Sequence, residues 1–218
     1  MKIYLDNAAT TFPKPPAVYN SMMNYMMNIG SNPGRGVSTT SLAGNRVILN
    51  CRYALMDFFH FDKVENVIFT PNVTTSLNTL IKSTCQKGWH VITSSMDHNA
   101  TLRPLNSLCE KGIIELDIVP CSKEGLINVD DFVNTLKPNT KLVVLSHASN
   151  IIGSIQPLEL IGKICKDKGI YFVIDTAQTA GVLPIDFYKL NCNALAFTGH
   201  KSLRSEEHTS ELQSPIRS

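Results

Sequence analysis

Leu142-Val143-Val144-Leu145, then the amphipathic stretch Leu158 to Lys168, then Tyr171-Phe172-Val173-Ile174-Asp175 together decide the fold. The two outer runs are short, apolar and rich in β-branched or aromatic residues, as strands buried on both faces are. Between them Leu160, Ile161 and Ile164 recur at helical spacing. A strand, a helix and a second strand imply parallel strands joined by a right-handed crossover. The alternation continues outward in both directions. Val67-Ile68-Phe69-Thr70, Trp89-His90-Val91-Ile92, Ile113 to Val119 and Ala194-Leu195-Ala196-Phe197 read as further strands. Thr75 to Cys85, with Leu77, Leu80 and Ile81 on one face, reads as a further helix. The expectation is an α/β protein with a mainly parallel, doubly wound sheet. Gly181 to Asn191 is too irregular to assign.

Ahead of residue 64 lie an extended start, a Met-rich segment and a helical stretch from about Ser41 to Phe59. Met22, Met23, Met26 and Met27 fall at i and i+4, one helix face, and core filling is the expected use, with a partner-binding surface as the alternative. Gly30-Ser31-Asn32-Pro33-Gly34-Arg35-Gly36 is a turn-forming loop that no helix tolerates. No internal repeat is present.

The 218 residues suffice for a sizeable core. With 43% hydrophobic and 17% charged residues, 12 Gly and 11 Pro, the composition excludes a disordered or collagen-like chain. A net charge of +2 lacks the basic surplus of a nucleic-acid binder. No apolar run approaches the ~18 residues that span a bilayer. Met1-Lys2-Ile3-Tyr4-Leu5-Asp6-Asn7 turns polar too early for a signal peptide. Cysteines 51, 85, 109, 121, 165 and 192 show no CxxC spacing, so neither a metal site nor a redox pair is signalled. They read as reduced, mostly buried thiols of a cytosolic, cytoplasmic protein without membrane contact.

In an open α/β sheet, ligands collect at the carboxyl ends of the strands. After Thr70 comes Pro71-Asn72-Val73-Thr74-Thr75, which opens a helix and offers hydroxyls and backbone N–H groups to an anion such as phosphate. The plainer role for Thr74 is a helix cap. After Thr93 comes Asp97-His98-Asn99, where an imidazole can reach the mouth of the sheet or simply cap the next helix. After Leu145 comes His147-Ala148-Ser149-Asn150, and after Ile174 comes Asp175-Thr176-Ala177-Gln178. A carboxylate ending an apolar strand needs a cationic partner. The last strand ends in Phe197-Thr198-Gly199-His200-Lys201. A partly desolvated lysine can form a Schiff base with an aldehyde. An anion site, a carboxylate, a histidine and a lysine at one edge describe a pyridoxal 5'-phosphate pocket.

Two rival motifs fail. Gly199-His200-Lys201-Ser202 lacks the adjacent Gly-Lys and the upstream Gly of a P-loop. Gly34-Arg35-Gly36-Val37-Ser38-Thr39 lacks the third Gly of a dinucleotide fingerprint and follows no strand.

Taken in order, Tyr4 to Thr11, Ser31-Asn32-Pro33-Gly34-Arg35-Gly36, Asn66 to Thr70, Asp97-His98, Ser149-Asn150, Asp175 to Gln178 and Thr198 to Lys201 resemble the class V, fold-type I pyridoxal phosphate enzymes, specifically the cysteine desulfurase group. The resemblance covers 1–203. It implies the large domain of that fold, with the small domain mostly missing, and pyridoxal phosphate as cofactor. Lys201 would carry the Schiff base and shuttle a proton, Asp175 would pair with the pyridine nitrogen, and His98 would stack on the ring. Gln178 would reach the phenolic oxygen. Thr75, Thr198 and His200 would hold the phosphate with Thr74 nearby, and Asn150 would lie near the substrate carboxylate. His98 and Lys201 are thus the implied catalytic pair, with no metal.

The family's reaction converts L-cysteine to L-alanine, with the sulfur passed to a cysteine on a mobile loop as a persulfide. The implied partners are L-cysteine or a related amino acid, a second copy of the chain, and a sulfur-acceptor protein; nucleic acid and membrane are not implied. Other class V chemistries are the alternative: selenocysteine lyase, epimerase or aminotransferase. Ser38 stands where the related pattern has a His. None of the six cysteines occupies the position of the persulfide-forming one.

Residues 204–218 differ in kind, with four Ser and almost no apolar periodicity. They read as a solvated, disordered, non-native tail resembling a translated sequencing adapter, which would interrupt the true chain near Leu203. The domain expectation is therefore 1–203 as an N-terminal segment plus cofactor-binding large domain, truncated, and 204–218 as tail. Such a fragment is expected to be silent in turnover, at most a non-catalytic cofactor-binding piece.

Overall fold

The computed structural model describes residues 3–34, 36–205 and 211–213. In chain order the elements are α1 (Pro16–Asn24) running into a π turn (Tyr25–Ile29), α2 (Thr39–Phe59), a 3-10 turn (Val64–Asn66), β1 (Ile68–Thr70), α3 (Val73–Thr84), β2 (Trp89–Ser94), α4 (Asn99–Glu110), β3 (Ile114–Val119), α5 (Val129–Thr135), β4 (Thr140–Ser146), α6 (Leu158–Asp167), β5 (Tyr171–Asp175), β6 (Ala194–Ala196) and β7 (Glu211–Gln213). They build one seven-stranded sheet in the order β1-β7-β6-β5-β4-β2-β3. Strands β2 to β6 pair in parallel; β7 is antiparallel to both neighbours. The α/β, mainly parallel sheet of the sequence reading is what forms.

Alternation along the central strands explains their unbroken apolar sequence. On β4, Leu142 and Val144 join the cluster beneath α3 and α4, while Val143 and Leu145 join the cluster on the opposite face. On β5, Val173 faces the first cluster and Phe172 and Ile174 the second. On β6, Ala194 and Ala196 lie toward α3 and Leu195 lies on the other side. Two buried faces demand an apolar residue at every position.

Helix starts follow local chemistry. Asn72 Oδ1 accepts the Thr75 N–H at 2.7 Å and caps α3, so Asn72 rather than Thr74 supplies the cap. Ser38 Oγ accepts the Ser41 N–H at 3.1 Å and caps α2. Leu77, Leu80 and Ile81 are buried as their spacing requires.

Three expectations need correcting. The buried stripe of α6 is Leu158, Ile161 and Cys165, whereas Leu160 is 58% exposed; the helix is rotated so that Gly162 meets Leu190. Met23, Met26 and Met27 are exposed and are not core filler, because α1 and the π turn bury no residue among those described. The thiols are free, but only Cys165 and Cys192 are buried, Cys51 and Cys109 being exposed on helix surfaces. Of the tail, 206–210 and 214–218 lie outside the described residues, and Glu211–Gln213 form β7. Among the described residues no helix is long and apolar enough to cross a membrane.

Candidate active site

Each sequence-nominated residue sits at or just beyond a strand's carboxyl end. The sheet's topological switch lies between β2 and β4, since the chain builds β3 on one side and β4, β5 and β6 on the other. That crevice is where a ligand is expected in an open α/β sheet.

Asp175 ends β5 and is buried at 6% exposure. Its Oδ1 accepts the Ala177 N–H at 2.9 Å, and no described group donates to Oδ2. Burial pushes the carboxyl up to about 6; the Asp97 charge adds to the rise, while the Ala177 N–H and the Lys201 charge oppose it. Beside it in register is Ser146. The Ser146 hydroxyl is buried and has no hydrogen-bond partner among the described residues. An orphaned hydroxyl and a half-satisfied carboxylate in one mouth are groups a polar ligand would complete.

His98 caps α4: its Nδ1 accepts the Ala100 N–H at 3.1 Å, which leaves the proton of the neutral ring on Nε2. Desolvation, then the Lys201 and Arg103 charges, hold its pKa below the usual histidine value. Lys201 therefore acts electrostatically on both His98 and Asp175, so three elements far apart in sequence converge on it.

Thr74 and His98 line one cavity of about 340 Å³ together with Asn78, Lys82 and Arg103. The Thr75 hydroxyl is held by Asn72 Oδ1 at 2.8 Å. Thr198 is buried just after β6. Asn150 is exposed in the turn that Gly153 closes by donating its N–H to the Ser149 carbonyl, 3.1 Å. Gln178 is half-buried and donates from Nε2 to the Ala8 carbonyl, 3.1 Å.

The sequence reading missed the clasp that holds the Lys201 loop. Thr11 N donates to the His200 carbonyl at 3.1 Å, Lys14 Nζ to the same oxygen at 2.6 Å, and the Thr11 hydroxyl to the Lys201 carbonyl. His200 Nδ1 lies 3.1 Å from the Thr10 hydroxyl. Nothing local in residues 8–14 signals this, because the partner lies at the other end of the chain. Asp97 also lies outside the nominated set, because its Ser146 partner sits on a different strand.

Residues 3–205 match the aminotransferase class-V family model. The chain is similar to the cysteine desulfurase IscS of Photorhabdus laumondii, 34% identical over 207 residues that span 92% of this chain and 50% of that protein. It is similar to the mitochondrial cysteine desulfurase of Candida albicans, 33% identical over 203 residues, spanning 91% of this chain and 41% of that one. Among solved structures it resembles the apo cysteine desulfurase of Thermococcus onnurineus with a TM-score of 0.92 and 31% identity, covering 99% of this chain and 54% of the other. The chain spans about half the length of the curated relatives it matches.

Proposed function

This chain belongs to the aminotransferase class-V family, and from that premise we propose that it carries the cofactor-holding domain, residues 1–203, of a pyridoxal phosphate-dependent cysteine desulfurase. The observation that supports this most is that the Lys201 charge acts on both His98 and the buried, half-satisfied Asp175, each at or beyond a strand's carboxyl end. Pyridoxal phosphate, when bound, supplies an aldehyde for amines and an electron-poor ring that delocalises negative charge.

The chain's own groups fit that ligand. Asp175 Oδ2 is left to accept an N–H from a ring nitrogen, and a carboxylate poised in a buried site holds that proton firmly. Lys201 would hold the aldehyde through Nζ, and its amine is the group placed to move a proton. A neutral His98 covers the ring without adding charge beside the Lys201 ammonium. Gln178 addresses the phenolic oxygen. Thr75, Thr198 and His200, with Thr74, would hold the phosphate, Thr74 and Thr75 lying in the first turn of α3 where backbone N–H groups point outward. Asn150 attends the substrate carboxylate.

L-cysteine is the substrate in this reading, alanine and a persulfide sulfur the products, and a sulfur-acceptor protein the recipient. A second copy of the chain completes the working unit, and the cysteines, none of them in a disulfide, support a reducing, cytosolic setting.

Purified protein mixed with pyridoxal phosphate should develop a visible absorption band that Lys201→Ala abolishes. Colourless wild-type protein under the same conditions would overturn the cofactor assignment, and cysteine-dependent sulfide release, which this fragment is expected to lack, would overturn its reading as silent in turnover.

A further inference from the structure

Asp97 is a buried carboxylate to which none of the roles above applies, yet four donors converge on it. Its Oδ2 accepts from the Thr93 hydroxyl at 3.0 Å, the Ser94 N–H at 2.8 Å and the Ser94 hydroxyl at 2.7 Å. Its Oδ1 accepts the Ser146 N–H at 2.5 Å, from a different strand.

Sheet register explains why those donors are available. β2 pairs with β3 as far as Ser94, and β4 pairs with β5 as far as Ser146. Between β2 and β4, however, the described pairing ends at Ile92 and Val143. Beyond that point the two central strands part, at the switch point where the ligand crevice must open. Backbone groups there lose their ladder partners and, buried, need others. One carboxylate supplies them from both sides of the gap.

We propose that Asp97 is a positioning residue of the pocket, its carboxylate bolting the separated ends of β2 and β4 so that His98 and Asp175 keep a fixed relation across the crevice. The connections are short on either side. His98 follows Asp97 directly, and Ser146, held by Asp97, lies opposite Asp175 in register. The Asp97 charge also acts on Asp175, raising its pKa, while Lys201 lowers it. His147, at the same strand end, turns its Nδ1 to the Thr179 hydroxyl at 2.9 Å.

This role rests on the pyridoxal phosphate reading, and its test is built to fail separately. The full chain is compared with D97N, D97E and T93V by urea unfolding, by absorption titration with pyridoxal phosphate, and by ¹³C NMR of the aspartate carboxyls without cofactor. An Asn side chain offers one acceptor oxygen and meets either Ser146 N–H or the Ser94 and Thr93 donors with its own N–H. D97N is expected to weaken cofactor binding roughly tenfold. Removing a like charge should also move the Asp175 midpoint below about 6. T93V, losing one donor and no charge, should weaken binding about threefold with the midpoint unmoved. D97E should return the midpoint toward that of the wild type.

Binding by D97N within twofold of wild type, with Asp175 titrating unchanged, overturns the proposal. If the wild type takes up no cofactor, the ligand reading fails, and the NMR spectra without cofactor decide the Asp97 role: a displaced Asp175 carboxyl resonance in T93V, which alters no charge, supports it, and resonances unmoved in both T93V and D97N overturn it. If D97N does not fold, T93V decides, and unaltered affinity in that variant overturns the proposal.

Discussion

Thr10 and His200 stand 190 residues apart in sequence and meet side chain to side chain, with the Thr10 hydroxyl 3.1 Å from His200 Nδ1 and 3.2 Å from the His200 carbonyl oxygen. The segment around Thr10 is thus a structural part of the loop that presents Lys201. Thr10→Val keeps the shape and removes both contacts, together with the bond that Lys14 Nζ donates to the same hydroxyl at 3.2 Å. Since net hydrogen-bond contributions run near 1 kcal/mol each, we expect pyridoxal phosphate affinity to fall about fivefold to tenfold, with global stability lowered by at most about 2 kcal/mol. Absorption titration and urea unfolding check both, and unchanged affinity would remove the clasp from the account.

Asp175 predicts a specific pH dependence. Its folded pKa is raised from 3.8 to about 6, so the folded chain binds more protons than the unfolded chain between those values. Stability attributable to this group is therefore greatest at low pH and is lost as pH rises from about 4 to about 6. Asp175→Asn carries no such charge. The stability of D175N minus that of wild type should grow across that window and level off above it, on the order of 1–3 kcal/mol in all. Urea unfolding at pH 4, 5, 6 and 7 measures it, and a flat difference would contradict the burial assigned to this carboxyl. Cofactor binding should be lost in the same variant.

Gly162 lies where α6 crosses the Leu190 backbone, and a Cβ at this position would overlap the Leu190 carbonyl oxygen. That atom belongs to the main chain and cannot rotate aside. Gly162→Ala, though it improves helix propensity, should cost about 2–3 kcal/mol through forced displacement of the helix. A denaturant midpoint that rises instead would show that the contact relaxes freely.

The thiols should separate by reactivity. Burial pushes the Cys165 thiol up to about 12, and its side chain is fully covered. Cys109 is exposed on α4. Thiolate is the reacting species, so Cys109 should alkylate rapidly at neutral pH while Cys165 waits for unfolding. Mass spectrometry of partly alkylated peptides reads the order directly, and early labelling of Cys165 would refute it.

The central sheet was legible because burial on both faces writes itself as continuous runs such as 142–145 and 171–174. Helix α3 was legible from Leu77, Leu80 and Ile81. Helix α5 is hard to read, since its seven residues bury only Phe132 and leave no apolar stripe, although Asn128, whose Oδ1 accepts the Asp130 N–H at 2.8 Å, and the acidic Asp130 and Asp131 mark its start. Leu160 misled because a stripe of three apolar residues fits two rotations of one helix, and the deciding residue was Gly162. The methionines misled for a related reason: spacing shows that they share a face but not what covers it. At the site, Lys201, Asp175 and His98 could be named from strand ends. The clasp from Thr10 to Lys14 and the carboxylate bridge of Asp97 could not, because both depend on which distant backbone groups lack partners.

The hydrogen bonds from residues 8–14 to Gln178 and to the His200–Lys201 backbone also have a consequence for timing. Contacts between the two extremes of a chain are the last to be rewarded during folding, because the entropy of closing so long a loop must first be overcome. Secondary structure and both apolar layers can form while that closure is still open. Colour from bound pyridoxal phosphate would therefore appear after compaction, and its lag behind the far-ultraviolet signal in a refolding experiment would act as a clock for the final step of assembly.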